Sequence, residues 1–307
     1  MAPRFERRQI LMKKDGQKAA VAKILAAAAG WGIIGVFSRP LSDAGLNAVQ
    51  ITFVRSVIVA LGMALYLLLT DRKQFQIHWK DIWMFLGTGL LSIVFFNICY
   101  FLTIERATLA VASILLYTAP CFVMLMSAVF FHEKVTVQKL AALVLAFAGC
   151  VLVSGFTGGQ MSGSAVLTGI GSGIGYALYS IFGSVALKKY QPFTVIFYTF
   201  LIASVGLIPF SAVTEIGAVM IGSGSVIASG LALGVLSTLL PFILYTGGLK
   251  ELEAGKASVL AFAEPMIATI AGIVIFKEKV NMQNALGIVL IFAAILLLNM
   301  RLRLKVR

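Results

Sequence analysis

Charge is scarce in this sequence: 12% of its 307 residues are Asp, Glu, Lys or Arg, against about a quarter in a soluble domain. With 60% hydrophobic residues and a mean hydropathy of +0.99, an ordinary soluble domain is excluded and an integral membrane protein is indicated. Cysteine is also sparse. Cys99, Cys121 and Cys150 all fall inside apolar runs, without CxxC spacing or histidine neighbours. Neither a disulfide framework nor a metal site is expected from them, and they read as small packing residues. The two histidines, His78 and His132, fall between apolar runs and are assigned to solvent-facing loops. A GxxxxGK[ST] phosphate loop is missing, so any driving energy comes from gradients and no cofactor is called for. Paired catalytic groups are missing from the apolar runs as well, which argues against an intramembrane enzyme.

What the sequence does have is apolar length. Runs able to cross a bilayer fall near 19–41, 48–70, 82–104, 107–131, 137–156, 164–187, 193–213, 226–249, 256–276 and 282–300. They predict an all-α integral membrane protein with ten transmembrane helices and loops too short for a soluble catalytic domain. The basic N-terminus followed by an apolar run resembles a signal sequence. That run is long and lacks an AxA-type cleavage site, so it is read as the first retained span.

Lys and Arg set the orientation. With the N-terminus inside, twenty of them fall on the cytoplasmic side, four (Arg39, Arg106, Lys277 and Lys279) fall outside, and Arg55 lies within a span. Both termini are therefore expected in the cytoplasm of a plasma membrane, of the bacterial cell-membrane kind. The net charge of +13 reads as a topology signal touching anionic lipid heads, not as a nucleic-acid surface.

The chain also repeats itself. Shifted by 145 positions without a gap, residues 112–148 fall on 257–293 with 14 identities in 37 positions, among them Pro120/Pro265, Phe131/Phe276, Glu133-Lys134-Val135/Glu278-Lys279-Val280 and Gln138/Gln283. The same offset lays Gly30-Trp31 on Gly175-Tyr176, Ser92 on Ser237 and Tyr100 on Tyr245. Two homologous units follow: 19–156 and 164–301, flanked by a basic cytoplasmic tail 1–18 and a cytoplasmic tail 302–307. Five crossings per unit turn the second copy upside down relative to the first. That is the inverted-repeat plan of many secondary transporters, whose substrate site lies near the midplane between the halves.

The two endings APCFVMLMSAVFFHEKVTVQ and EPMIATIAGIVIFKEKVNMQ, with the ten spans and the duplication, resemble the EamA family of the drug/metabolite transporter superfamily. The resemblance covers essentially the whole chain. It implies two inverted five-helix repeats around a cavity lined mainly by helices 1, 3, 4, 6, 8 and 9, and transport of small metabolites such as amino acids.

One residue stands out against this frame. Glu264 lies within about 20 residues without another charge, and an ionisable group at such depth is a functional candidate by default. Its repeat counterpart is Ala119. At helical spacing Ala257, Ala261, Glu264, Ala268 and Gly272 share one face, which suits either tight helix packing or a substrate-facing wall. A Glu264 protonated in the empty cavity and ionised when a cation binds would couple transport to protons; a salt bridge or hydrogen bond that only locks helices together is the alternative. Arg55, whose counterpart is Phe200, either snorkels outward, pairs with an acid or binds a substrate carboxylate.

Trp31, Asn97, Tyr117, Tyr176, Tyr179 and Tyr245 fall well inside the spans, where amphipathic rings need hydrogen-bond partners. Packing and ligand contact are both open for each one, and as a set they outline a polar cavity. Pro120 and Pro265 each remove a helical hydrogen bond and mark kinks or hinges. The expected function is alternating-access transport of a small organic solute, namely an amino acid, amine or related metabolite, with protons as a further partner. A multidrug or toxic-cation exporter of the same fold and a non-transporting membrane partner are the rival readings. Oligomeric state does not follow from the residues.

Overall fold

Ten helices carry the chain back and forth. The structure, a computed structural model, describes residues 4–155, 162–279 and 281–300. Val280, position 156, Arg301 and the tail 302–307 lie outside the described residues, as do the first three. We label the helices α1 (Gly16–Asp43), α2 (Ala48–Thr70), α3 (Trp79–Arg106), α4 (Leu109–Phe131), α5 (Val137–Val153), α6 (Gly163–Ala186), α7 (Pro192–Phe210), α8 (Gly224–Leu249), α9 (Ala254–Phe276) and α10 (Met282–Asn299). Among the described residues all except α5 are long and apolar enough to cross a membrane; α5 is shorter, at 17 residues. The backbone of the first helix begins upstream of Gly16, at Arg4, so most of the expected basic tail continues α1. A short helix, Val213–Ile221, precedes α8.

Local chemistry explains where the helices begin and end. Asn47 and Gln50 form a reciprocal capping box at the start of α2. Thr136 accepts from the Lys139 N–H at 3.2 Å, and its repeat mate Asn281 accepts from the Asn284 N–H at 2.7 Å, each satisfying a first-turn donor that lacks an intrahelical acceptor. α4 and α9 end alike. His132 (φ 55°) and Lys277 (φ 57°) are left-handed, and the next N–H, of Glu133 or Glu278, returns to the carbonyl of Ser127 or Gly272 at 3.2 Å in both cases.

Both α4 and α9 are broken just before their prolines. The turn at Tyr117–Thr118 separates Leu109–Leu116 from Ala119–Phe131, and the turn at Ala261–Phe262 separates Ala254–Leu260 from Ala263–Phe276. Each proline sits in the first turn of the second half-helix, where its missing N–H costs nothing. The Ala261 carbonyl, which Pro265 four residues on cannot reach with an N–H, accepts from the Glu264 N–H at 2.9 Å. α3 and α8 instead loosen into π-helical turns at Gly87–Val94 and Val235–Leu239, overlapping repeat-related positions.

The two halves interlock rather than stand side by side. α1 packs on α8 and α9 of the second repeat, α6 on α3 and α4 of the first, and α5 lies along α10. Glycines permit the closest approaches. A Cβ on Gly32 of α1 would meet the Glu264 carbonyl oxygen at 2.8 Å, and one on Gly173 of α6 would meet the Leu115 carbonyl oxygen at 2.9 Å. Both contacts fall next to the breaks. Along α5 and α10, a Cβ on Gly149 would meet the Gly287 carbonyl oxygen at 2.7 Å, and the reverse holds at the same distance. Without a hydrophobic force between helices in lipid, such close packing is what holds them together. Leu65, Leu69, Leu125, Val144, Leu167 and Val289 form part of the apolar outer belt, while Phe85, Phe200 and Leu260 are fully buried.

Candidate functional site

The helices enclose a cavity of about 790 Å3 whose wall runs from Trp31 and Tyr245 in the interior to Arg39, Leu109, Ser154 and Glu278 at one face. We call this face the mouth and the opposite one the base. At the base, Lys23 pairs with Glu251 at 3.5 Å, Lys189 with Asp81 at 2.7 Å and Lys139 with Glu253, and the Lys250 ammonium donates to Gln191 at 2.8 Å. The exposed pair Lys23–Glu251 contributes only about 0–1 kcal/mol, whereas Asp81 in the Lys189 pair is buried.

Glu264 occupies the first turn of the second half of α9, where the helix dipole favours a negative charge. The Tyr176 hydroxyl donates to one carboxyl oxygen at 3.2 Å, and the Tyr117 hydroxyl donates to the other at 3.5 Å. No ion pair to it forms among the described residues, and the two tyrosine hydrogen bonds tie α9 to α4 and α6, the form that a helix-locking contact would take. The carboxyl faces the cavity with donors from α4 and α6, one from each half of the protein.

Arg55 also faces the cavity. Its guanidinium Nη2 donates to the Asn97 side-chain oxygen at 3.5 Å, and Thr52 donates to the same oxygen at 3.1 Å. Asn97 is itself fixed by donating to the Ile93 carbonyl at 2.7 Å. The Arg55 Nε is buried with no hydrogen-bond partner. A buried donor left unmade costs about 1–3 kcal/mol, more when charged. Neither outward snorkelling nor pairing with a protein acid is what the side chain does.

Deeper in, Trp31 packs on Phe242 and Tyr245 with ring centroids 5.3 and 5.2 Å apart, and Tyr179 packs on Phe242 at 5.0 Å. Their polar ends are satisfied: Ser180 and Tyr245 share a hydrogen bond at 2.8 Å, and Tyr179 and Thr246 share one at 2.6 Å. This aromatic layer is the floor. Ser92 and its repeat mate Ser237 have buried hydroxyls without partners, each within a π-helical turn. π-turns in helices frequently occur at functional sites.

All eight side chains expected from the sequence, Glu264, Arg55, Trp31, Asn97, Tyr117, Tyr176, Tyr179 and Tyr245, line this one cavity. Of the two prolines only Pro265 does; Pro120 is buried in α4 outside it. The small-residue stripe on α9 is split by the break. Glu264, Ala268 and Gly272 face the cavity, whereas Ala257 and Ala261 are buried below it. Cys99 and Cys150 are packed inside as expected, but Cys121 is exposed on the outer surface. Sequence reasoning passed over Phe96, Phe242 and Thr52, which resemble ordinary span residues, and counted Arg39 only among the outer charges. Arg39 instead stacks over Phe276, 3.5 Å from the ring centroid, and pairs with Glu278 at 3.2 Å.

Ten helices in two inverted halves around one half-open cavity define a multi-pass membrane transporter fold. The chain belongs to the EamA-like transporter family, whose profile matches residues 18–155 and again 163–300, and so to the drug/metabolite transporter superfamily. It is 27% identical over 253 residues to an uncharacterized transporter of Archaeoglobus fulgidus, covering 82% of this chain and 85% of that protein. A second transporter from the same organism is 31% identical over 68% of this chain and 75% of its own length. The inner membrane transporter YicL of Salmonella typhimurium is 25% identical over 92% of this chain and 96% of its own. A solved crystal structure shares the fold with a TM-score of 0.74 at 17% identity, over 92% of this chain and 96% of that one.

Proposed function

We propose that the protein moves a small solute carrying both an amine and a carboxylate, an amino acid or a related metabolite, by alternating access through this cavity. The observation that carries the reading is that Glu264 and Arg55 line the same cavity without an ion pair between them. One group is an acid held by two tyrosine hydroxyls; the other is a cation with an unused buried donor. A zwitterion satisfies both ends, its amine at Glu264 and its carboxylate at Arg55, while Phe96 and Tyr100 cover its apolar part. The amine and a proton compete for the same carboxylate, so solute and proton move in exchange. Both termini face the cytoplasm of the cell membrane, as the excess of Lys and Arg on the base side supports, and the mouth then faces outward.

The test is a thermal-stability screen of the detergent-purified protein against amino acids, amines, carboxylates, sugars and nucleotides, followed by flux of the hits into proteoliposomes holding only this chain. Stabilisation by zwitterions above their amine-only and acid-only analogues, with flux, supports the proposal. A protein that binds nothing and carries no flux is a membrane partner instead. A second reading is favoured by size, since about 790 Å3 lies within the range of sites for drug-sized ligands. Export of bulky organic cations would show as stabilisation by quaternary ammonium compounds that needs Glu264 and not Arg55.

A further inference from the structure

Glu133 and Glu278 hold the same place in the two repeats and are presented by the same local geometry, yet they have different partners. At the base, Glu133 reaches across from the end of α4 to the start of α9. Its two carboxyl oxygens accept from the Ala254 N–H at 2.8 Å and the Gly255 N–H at 3.1 Å. These are first-turn donors with no acceptor of their own, and Glu253, which precedes them, makes no side-chain cap. The closed base is therefore fastened by a carboxylate clasping a helix end from the neighbouring span.

The repeat offset of 145 places Leu109 and Ala110 in the roles of Ala254 and Gly255, and Glu278 in the role of Glu133. At the mouth that clasp is undone. Thr108 caps the Val111 N–H at 3.2 Å, and the Leu109 and Ala110 N–H groups meet no side-chain acceptor among the described residues. Glu278 lies against Gly272 and is held by Arg39 at 3.2 Å. Arg39 has Ser184 as its repeat counterpart; at the base Lys188 is the cation over the equivalent ring, 5.1 Å from the Phe131 centroid, and among the described residues it forms no ion pair with Glu133. The aromatic rings repeat the asymmetry independently. At the floor Trp31 and Tyr245 are in direct contact at 5.2 Å, whereas their repeat mates Tyr176 and Tyr100 each pack on Phe96, at 5.4 and 6.2 Å.

We infer that Glu133 and Glu278 are alternating latches: when the base opens, Glu278 leaves Arg39 and clasps the Leu109 and Ala110 N–H groups to shut the mouth, while Glu133 lets go of Ala254 and Gly255. Two inverted copies of one unit make each open state the near mirror image of the other, so the contact fastening one face supplies the template for the other. Arg39 acts as the catch that keeps the mouth latch open. The inference rests on the alternating-access reading and leaves the solute unspecified.

Distances between paired spin labels test it in the full chain with Cys99, Cys121 and Cys150 replaced by Ala. One pair spans the mouth, at Arg106→Cys and Met282→Cys; the other spans the base at the repeat-related positions, Glu251→Cys and Val137→Cys. We expect Glu133→Ala to lengthen the base distance and shorten the mouth distance, and Glu278→Ala to deplete the short-mouth population by about tenfold, the scale of losing charge-assisted hydrogen bonds. Arg39→Ala leaves both latches intact and is expected to shift the protein towards a closed mouth, so the result does not depend on either glutamate variant folding. Shifts in the same direction for the two glutamate variants, or an unchanged mouth in both Glu278→Ala and Arg39→Ala, overturn the latch. A parent protein with one fixed width at each face, with and without a transported solute, overturns alternating access beneath it.

Discussion

Trp31 and Tyr176 occupy equivalent positions in the two repeats, and only one of them touches the acid. The Tyr176 hydroxyl donates to Glu264 at 3.2 Å, while Trp31 is packed against Phe242 and Tyr245 in the floor. The duplicated frame therefore supplies two matching aromatic positions, and the single carboxylate on α9 decides which becomes polar. Chemistry in the cavity is asymmetric although the scaffold is not.

Replacing Glu264 by Gln removes the charge and keeps the shape. Amine-bearing ligands should bind about tenfold or more weakly, as expected for losing a hydrogen bond to a charged group. In the parent protein the proton and the amine compete, so affinity should weaken as pH falls through the titration of the carboxyl, approaching tenfold per pH unit. The glutamine variant should show a flat profile over the same window. Calorimetric titration at several pH values checks this, and a parent-like slope in the variant removes Glu264 from the mechanism.

Arg55→Lys should separate the two ends of the solute. Lysine keeps the charge but loses the planar donor fork and the Nε–H. Zwitterions and carboxylates should lose about tenfold in affinity, the weight of one charged hydrogen bond, with amine-only ligands unchanged. Equal losses for all three classes would mark Arg55 as structural.

Two glycines three residues apart should respond in opposite directions to an added methyl. Gly32→Ala drives a Cβ to 2.8 Å from the Glu264 carbonyl oxygen, and overpacking of this kind costs about 1–3 kcal/mol. At Gly35 a Cβ meets nothing within 4 Å, and the alanine variant should gain about 0.5–1 kcal/mol from helix propensity. Thermal unfolding in detergent ranks Gly35→Ala above the parent and Gly32→Ala below it.

Ser237→Ala should stabilise the protein. Its buried hydroxyl has no partner, and relieving an unmade hydrogen bond recovers up to about 1–3 kcal/mol. Ser180→Ala is the contrasting case, because it breaks the 2.8 Å bond to Tyr245 and should destabilise. The same unfolding measurement reads both, and a loss of stability in Ser237→Ala would point to an ordered water or solute on that hydroxyl.

Much of this architecture was legible because hydrophobic length and self-similarity survive in one sequence. The spans, the 145-residue offset and the isolated Glu264 each have a direct physical reading, and the buried polar rings pointed to the same chamber. The π-helical turns were not legible. A shift in hydrogen-bond register leaves the apolar pattern of Gly87–Val94 and Val235–Leu239 unchanged. Nor were the roles of Phe96 and Phe242, since a phenylalanine facing a cavity reads the same as one facing lipid. The split stripe on α9 was missed because helical spacing presumes an unbroken helix, whereas the turn at Ala261–Phe262 rotates Ala257 and Ala261 away from Glu264. The two EKV segments were visible as a repeat, but that one clasps a helix end while the other leans on Arg39 is a property of conformation.

The glycine seam between α5 and α10 has a mechanical corollary. At Gly149 and Gly287 the two backbones touch with no side chain between them to flex, so the pair resists sliding as a ball joint does not. Each of these helices closes its own repeat, and under the alternating-access proposal this seam is expected to keep its spacing while other helices move.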